Sequence, residues 1–200
     1  MGLEKQYSEG YADNNGVQIF YHDHGPVDGE PILLVHGLGA QLVHWPEHLI
    51  DFLKKHNYRP ITYDNRDVGL STRFVGKPAF VLDYVKYFLR LPLKSEYTID
   101  NMAEDGIKLL DSLGIEKAHI LGTSMGGMIA QIISSQYSER VKSLTLIAST
   151  ASTPSPLNAP TREVRELMMQ RSKNPNASVE EVYEREVKIV TLIGMEGRIV

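Results

Sequence analysis

Ala118-His119-Ile120-Leu121-Gly122-Thr123-Ser124-Met125-Gly126-Gly127-Met128-Ile129 is the stretch that decides the fold. Its first part, Ala118 to Leu121, is a short apolar run of the kind that fills a strand buried on both faces of a parallel sheet. Its last part opens a helical pattern over Met125 to Tyr137, with Met128, Ile129, Ile132 and Ile133 predicted to face inward. Between the two lies G-x-S-x-G. A serine between strand and helix sits on a tight, strained turn, and its hydroxyl projects at the C-terminal edge of the sheet, where open α/β folds place ligands. Glycines two before and two after it let strand and helix pass closely. The helix N-terminus adds free N–H groups and the positive end of its dipole. The pentapeptide alone recurs by chance, so the flanking strand and helix give it its weight. The bland alternative is a glycine-rich turn with an idle serine.

Working outward, Val17 to Tyr21, Ile32 to Val35, Ile61 to Tyr63 and Leu144 to Ala148 also read as strands. Pro46 suits the first turn of a helix running to about Lys55, because its missing N–H would be unpaired there. Thr98 to Leu113 carries an apolar stripe of Ile99, Met102, Ala103, Gly106, Ile107, Leu110 and Leu113, with Gly114 after its end. Strands alternating with helices predict right-handed crossovers and a mostly parallel, doubly wound α/β sheet. Composition shifts over Ser149 to Pro160, where the chain is expected to leave the sheet. The expected division is therefore 1–149 for the sheet region and 150–200 for a helical region, whose second helix starts at Ser178 with Glu181 three residues on.

A second signal, His36-Gly37-Leu38-Gly39, directly follows the apolar strand Ile32 to Val35. A glycine-rich turn there can aim a backbone N–H at an oxygen held beside Ser124. The candidate oxyanion donors are the N–H groups of Leu38 and Met125, and losing one such donor costs about 10²–10³ in turnover.

The bulk properties remove several function classes. Hydrophobic residues make up 42% and charged residues 23%, with a net charge of −4 and no basic stripe, so nucleic acid is not an expected partner. The absence of cysteine excludes disulfides and thiolate metal sites and fits a cytoplasmic enzyme. No apolar run approaches a membrane span, and Met1 to Glu9 lacks the apolar core of a signal peptide.

The histidine-glycine turn, the segment Tyr63-Asp64-Asn65-Arg66-Asp67-Val68-Gly69-Leu70-Ser71-Thr72, the helix over Thr98 to Leu113 and the elbow at Ser124 together resemble the α/β-hydrolase superfamily. Within it the chain resembles the serine esterase branch that includes polyketide methylesterases and cofactor-free perhydrolase-like enzymes. The resemblance implies an eight-stranded sheet, of which residues 1–149 supply six strands. It also implies a helical cap inserted after the sixth strand and beginning at 150–200, and a triad in the order Ser, Asp, His. No cofactor or metal is expected, and the aromatic stretch Arg73 to Tyr97 suits a small apolar ester as substrate. The loop from Asp64 to Thr72 would brace the site, so Asp64, Arg66 and Asp67 are given no catalytic role. The expected reaction is carboxylic-ester hydrolysis through an acyl-enzyme on Ser124. Serine rather than aspartate at the elbow argues against epoxide hydrolase and dehalogenase chemistry. An acyltransferase or perhydrolase could use the same serine, and a catalytically silent ligand-binding module is the rival from another class.

The chain departs from the pattern in one respect. All seven histidines precede Ser124, and the last aspartate is Asp111. The family order puts both partners after the nucleophile. The expectation is a chain truncated within the cap, with an exposed sheet edge at Leu144 to Ala148 that favours self-association.

Three other features invite sharper readings. His44-Trp45-Pro46-Glu47-His48 matches the zinc peptidase pattern H-x-x-E-H, but Pro46 should leave His44 outside the helix that chelation needs. His22 and His24 share a strand face and read as a solvated pair. Phe80, Tyr84, Tyr87, Phe88 and Leu91 share a helical face, read either as core packing or as the wall of an apolar pocket.

Overall fold

Three strands buried along most of their length organise the molecule. In the computed structural model, which describes residues 7–74, 96–151 and the isolated positions 162, 166, 180, 181 and 184, these are β3 (Glu30–Val35), β4 (Tyr58–Tyr63) and β5 (Ala118–Thr123). With β1 (Ser8–Asn14), β2 (Val17–Asp23) and β6 (Val141–Ile147) they form a six-stranded sheet in the order β1-β2-β4-β3-β5-β6. β2 pairs antiparallel with both β1 and β4, and β4, β3, β5 and β6 pair in parallel. Alternation along the inner strands splits the core. Leu33, Val35, Ile61, Tyr63 and Ile120 pack beneath α2 (Ile99–Ser112) and α3 (Met125–Gln136). Ile32, Leu34 and Leu121 pack with Trp45 and with Ile50 and Leu53 of α1 (Glu47–Lys55).

The helices end where their sequence dictates. Thr98 caps α2 by accepting from the Asn101 N–H. At the other end Gly114 takes φ +67°, and the N–H groups of Ile115 and Gly114 bond back to the carbonyls of Leu110 and Asp111, a Schellman arrangement. Pro46 caps α1 from outside rather than occupying its first turn. In α3, Ile129 and Ile133 are buried as expected, whereas Met128 and Ile132 are only half-buried and Ala130 takes a core position.

β1 is the strand that the sequence reading leaves unplaced. Its sequence, Ser8-Glu9-Gly10-Tyr11-Ala12-Asp13-Asn14, is too polar to read as a strand, because an edge strand buries only one side of alternate residues. The signal was the turn: Asn15 and Gly16, both at positive φ, join Asn14 to Val17 as a two-residue hairpin.

The chain divides into two compact units, Met1–Ala151 and Ser152–Val200. In the second, Arg162 and Glu166 are helical, exposed and joined by an ion pair of 2.8 Å, and Glu180, Glu181 and Glu184 are helical and exposed. The expected aromatic face from Phe80 to Leu91 and the capping residue Ser178 lie outside the described residues. Among the described residues no helix is long and apolar enough to cross a membrane.

Candidate active site

Ser124 stands between β5 and α3 at φ 54°, ψ −122°, a backbone state that side-chain-bearing residues rarely adopt. It is held there from both sides. Its N–H donates to the Ile147 carbonyl at 3.0 Å, and its carbonyl accepts from Gly127 N–H at 2.9 Å and from Ser149 Oγ at 2.8 Å. The end of β6 and Ser149 just after it thus clamp the turn, while the serine itself remains exposed.

The glycines around it are there for lack of space. A Cβ on Gly122 would lie 2.3 Å from the Gly126 carbonyl oxygen, and one on Gly126 would lie 2.1 Å from that of Val35. The close approach at Gly126 is therefore to the neighbouring strand β3, not only to β5. Gly127 is a third tight position, with Ser149 Cβ and Oγ 2.4 Å from a built Cβ.

The His36-Gly37-Leu38-Gly39 turn reaches the same place. A Cβ on Gly37 would be 3.2 Å from Ser124 Cβ, and Gly39 takes φ +69°. Among the described residues neither the Leu38 nor the Met125 N–H meets an acceptor. Both predicted donors are thus unspent beside Ser124. The Met125 group is one of the orphan N–H groups every helix start carries.

His36 faces elsewhere. Its ring packs on Trp45 with centroids 4.5 Å apart, and its Nδ1 accepts from the Gly37 N–H at 3.1 Å. That bond places the proton of the neutral ring on Nε2. Burial, reinforced by the nearby His44, pushes the ring's pKa down to about 4, so it is neutral at ordinary pH. Among the described residues no side chain hydrogen-bonds to Ser124 Oγ.

The Asp64 to Thr72 loop has its polar groups engaged in structure. The Asp64 carboxylate accepts from Leu42 N–H at 2.8 Å and Leu70 N–H at 3.0 Å, which ties two loops at the rim of the site. Gly69, at φ +52°, lies so close that a Cβ there would overlap that carboxylate. Asn65 Nδ2 donates to the His36 carbonyl at 3.1 Å. Arg66 makes two 2.7 Å bonds to the buried Asp105, which also accepts from Asn14 Nδ2 at 2.8 Å. Asp67 accepts from the Phe74 N–H and the Tyr97 hydroxyl. Sequence reasoning missed Asp105. The signal was a carboxylate inside the apolar stripe of α2, where burial demands a cation, and Arg66 supplies it.

The other sequence candidates resolve without new chemistry. His44 ends a short 3-10 turn outside α1, and its Nδ1 accepts from the Gln41 N–H at 3.0 Å. The His22 and His24 pair is not solvated. His22 is 6% exposed and stacked on Tyr7 at 3.8 Å, while the half-buried His24 bonds to Thr62 Oγ1 at 3.1 Å. Burial, with His22 adding to it, pushes the His24 pKa down to about 4. Nothing in the sequence signals that Tyr7 stacks on His22 and that β1 pairs along β2. Among the described residues no group of three His, Cys, Asp or Glu side chains could hold a metal ion.

Residues 30–190 match the family described as alpha/beta hydrolase fold. A protein of Variovorax paradoxus named as a carbamate hydrolase, RutD, is 31% identical over 131 residues, which are 66% of this chain and 42% of that protein. The rhodomycin D methylesterase DauP of Streptomyces sp. strain C5 is 28% identical over 187 residues, 86% of this chain and 57% of that protein. The chain spans about half the length of the curated relatives it matches. Among solved structures, the 2-hydroxy-6-oxo-6-phenylhexa-2,4-dienoate hydrolase of Rhodococcus sp. strain RHA1 superposes with a TM-score of 0.67 at 19% identity, covering 92% of this chain and 58% of that one, a likeness of fold.

Proposed function

The chain belongs to the α/β-hydrolase fold family, and we propose that it works as a serine hydrolase of carboxylic esters. In this reading Ser124 Oγ attacks the ester carbonyl. The N–H groups of Leu38 and Met125 hold the oxyanion, the alcohol leaves with a proton, and water releases the acyl group. The observation that carries it is the exposed Ser124 on a strained backbone, with two unspent N–H donors beside it. Strain at a residue that could be relieved by glycine persists where it serves a purpose. The names of the relatives agree with this chemistry, since a methyl ester and a carbamate both present an acyl carbon with a heteroatom leaving group. The exposed Leu38, Val43 and Leu70 supply apolar surface at this edge and suit a small apolar ester.

The reading requires a base, because a neutral serine is a weak nucleophile. No histidine or aspartate occurs among residues 125–200, and His36 is turned onto Trp45. We therefore place the base and its acid outside these 200 residues, with residues 150–200 as the beginning of a cap. No cofactor is needed, and a cytoplasmic location suits the cysteine-free chain. The same serine could pass its acyl group to another acceptor. Loss of catalysis with retention of ligand binding remains the rival in which no base is supplied at all. Turnover of a short-chain nitrophenyl ester by the full-length protein tests the reading. Ser124→Ala should abolish it, and turnover that persists in Ser124→Ala refutes the assignment.

β6 is the last strand of the sheet among the described residues, and Leu144, Leu146 and Ile147 on it are 37%, 41% and 46% exposed. Residues 1–200 expressed alone should self-associate through this apolar edge. Sedimentation across a concentration series checks it. A single monomeric species with a sharp melt would show the edge to be protected.

A further inference from the structure

Asn65 is 2% exposed, and its side chain makes one hydrogen bond among the described residues, from Nδ2 to the carbonyl of His36. Its Oδ1 is buried without a partner. A buried amide with one half unsatisfied is a costly choice where a leucine would fit the volume, so the single bond it makes must matter. That bond falls on one end of the His36–Gly37 peptide unit. The other end of the same unit, the Gly37 N–H, is held by His36 Nδ1. Both polar groups of one peptide plane are therefore pinned by side chains. The plane is also backed by α3, since a Cβ on Gly126 would come 2.6 Å from the His36 oxygen.

The next peptide unit carries the Leu38 N–H. It hangs from Gly37, the residue least able to fix its own dihedrals, and Gly37 lies against Ser124. With the plane before Gly37 loose, the Leu38 N–H would wander over a wide arc. With it pinned, only the two Gly37 dihedrals remain, and Ser124 limits those. We propose that Asn65, acting through the His36–Gly37 peptide, is the positioning residue that aims the Leu38 N–H at the oxygen of an acyl group on Ser124. The inference rests on the serine hydrolase reading and adds the device that preorganises its oxyanion donor.

The test uses the full-length protein and two variants of similar size. Asn65→Asp puts an acceptor against the His36 carbonyl, and Asn65→Leu removes the polar atoms and is the variant better suited to folding. For each, kcat and KM on a short-chain nitrophenyl ester are measured beside the melting temperature. So is the affinity for a trifluoromethyl ketone, whose serine adduct carries a tetrahedral oxyanion. Expected is a fall in kcat of about 10- to 100-fold, larger for Asn65→Asp, with KM within about 2-fold. Ketone affinity should fall in proportion to kcat/KM, as an interaction made in the transition state requires. A structural role alone would lower the melting temperature and the amount of folded protein while leaving kcat and ketone affinity per folded site unchanged, and that result overturns the proposal. Ser124→Ala in the same assay separates the two claims. If Ser124→Ala is inactive and the Asn65 variants are normal, only the positioning role falls. If Ser124→Ala still turns over, the serine reading falls and the positioning role with it.

Discussion

Two polar clusters occupy opposite ends of the same sheet, and only one of them has groups left over. Toward the N-terminal edge of the parallel strands, Asp23 and Arg59 form a buried pair with bonds of 3.1, 3.2 and 2.7 Å. Asp23 also accepts from the Gly25 N–H, and His24 is bonded to Thr62. At the C-terminal edge, Ser124 is exposed on a strained backbone, and the Leu38 and Met125 N–H groups meet no acceptor among the described residues. The first cluster holds more of the residue types usually associated with catalysis. It reads as structure because its charges are satisfied by one another, whereas the second keeps strain and donors in reserve. Unspent hydrogen-bonding capacity, not residue type, separates a site from a brace.

Mutation should split the two ends cleanly. Ser124→Ala in the full-length protein should cost up to about 10⁶ in turnover while leaving the melting temperature nearly unchanged, because an exposed hydroxyl contributes little to the fold. Comparable loss of stability in that variant would make Ser124 structural and erase the contrast. Gly126→Val should fail through the fold itself. A branched side chain has no room where a Cβ already meets the Val35 oxygen at 2.1 Å, so little folded protein is expected by circular dichroism. Normal folding and activity of Gly126→Val would mean that the elbow is looser than described.

Arg59→Met addresses the other end. Removing one partner of a buried pair leaves Asp23 uncompensated and typically costs about 3–5 kcal/mol. Urea denaturation should show that loss with kcat unchanged, and a fall in kcat per folded molecule would tie this cluster to catalysis. The last contrast is in acid stability. His24 and His36 both have pKa values pushed down from 6.5 to about 4 by burial. The unfolded chain therefore binds more protons than the folded one between those values, and stability falls as pH falls through that window. Denaturation midpoints should be level above about pH 6.5 with respect to these groups and decline toward pH 4, less steeply in His24→Asn. A midpoint that rises on acidification across that range would show that the two rings are not held neutral.

The inner sheet and the elbow were legible in the sequence because each rests on a local cause. Ile32 to Val35 and Ala118 to Leu121 are apolar without interruption, and glycines flank Ser124 at the spacing a strand-to-helix turn needs. What the sequence hid was set by distant partners. β1 needed β2 beside it, the burial of His22 needed Tyr7, and the place of Asp105 inside α2 made sense only once Arg66 lay against it. The bond from Asn65 to the His36 carbonyl joins residues 29 apart, and no periodicity or motif announces it. The base that the serine hydrolase reading calls for is a longer-range question still, since no histidine follows the elbow within these residues.

Reaction of the full-length protein with a fluorophosphonate, followed by mass spectrometry of the intact protein and its peptides, tests the central claim most directly. A fluorophosphonate reacts by strong preference with a serine that is both activated and facing an oxyanion site. One adduct is expected, on the peptide containing Ser124, and none in Ser124→Ala. An unlabelled protein that still cleaves esters, or an adduct that survives Ser124→Ala, would contradict the assignment of Ser124 as the nucleophile.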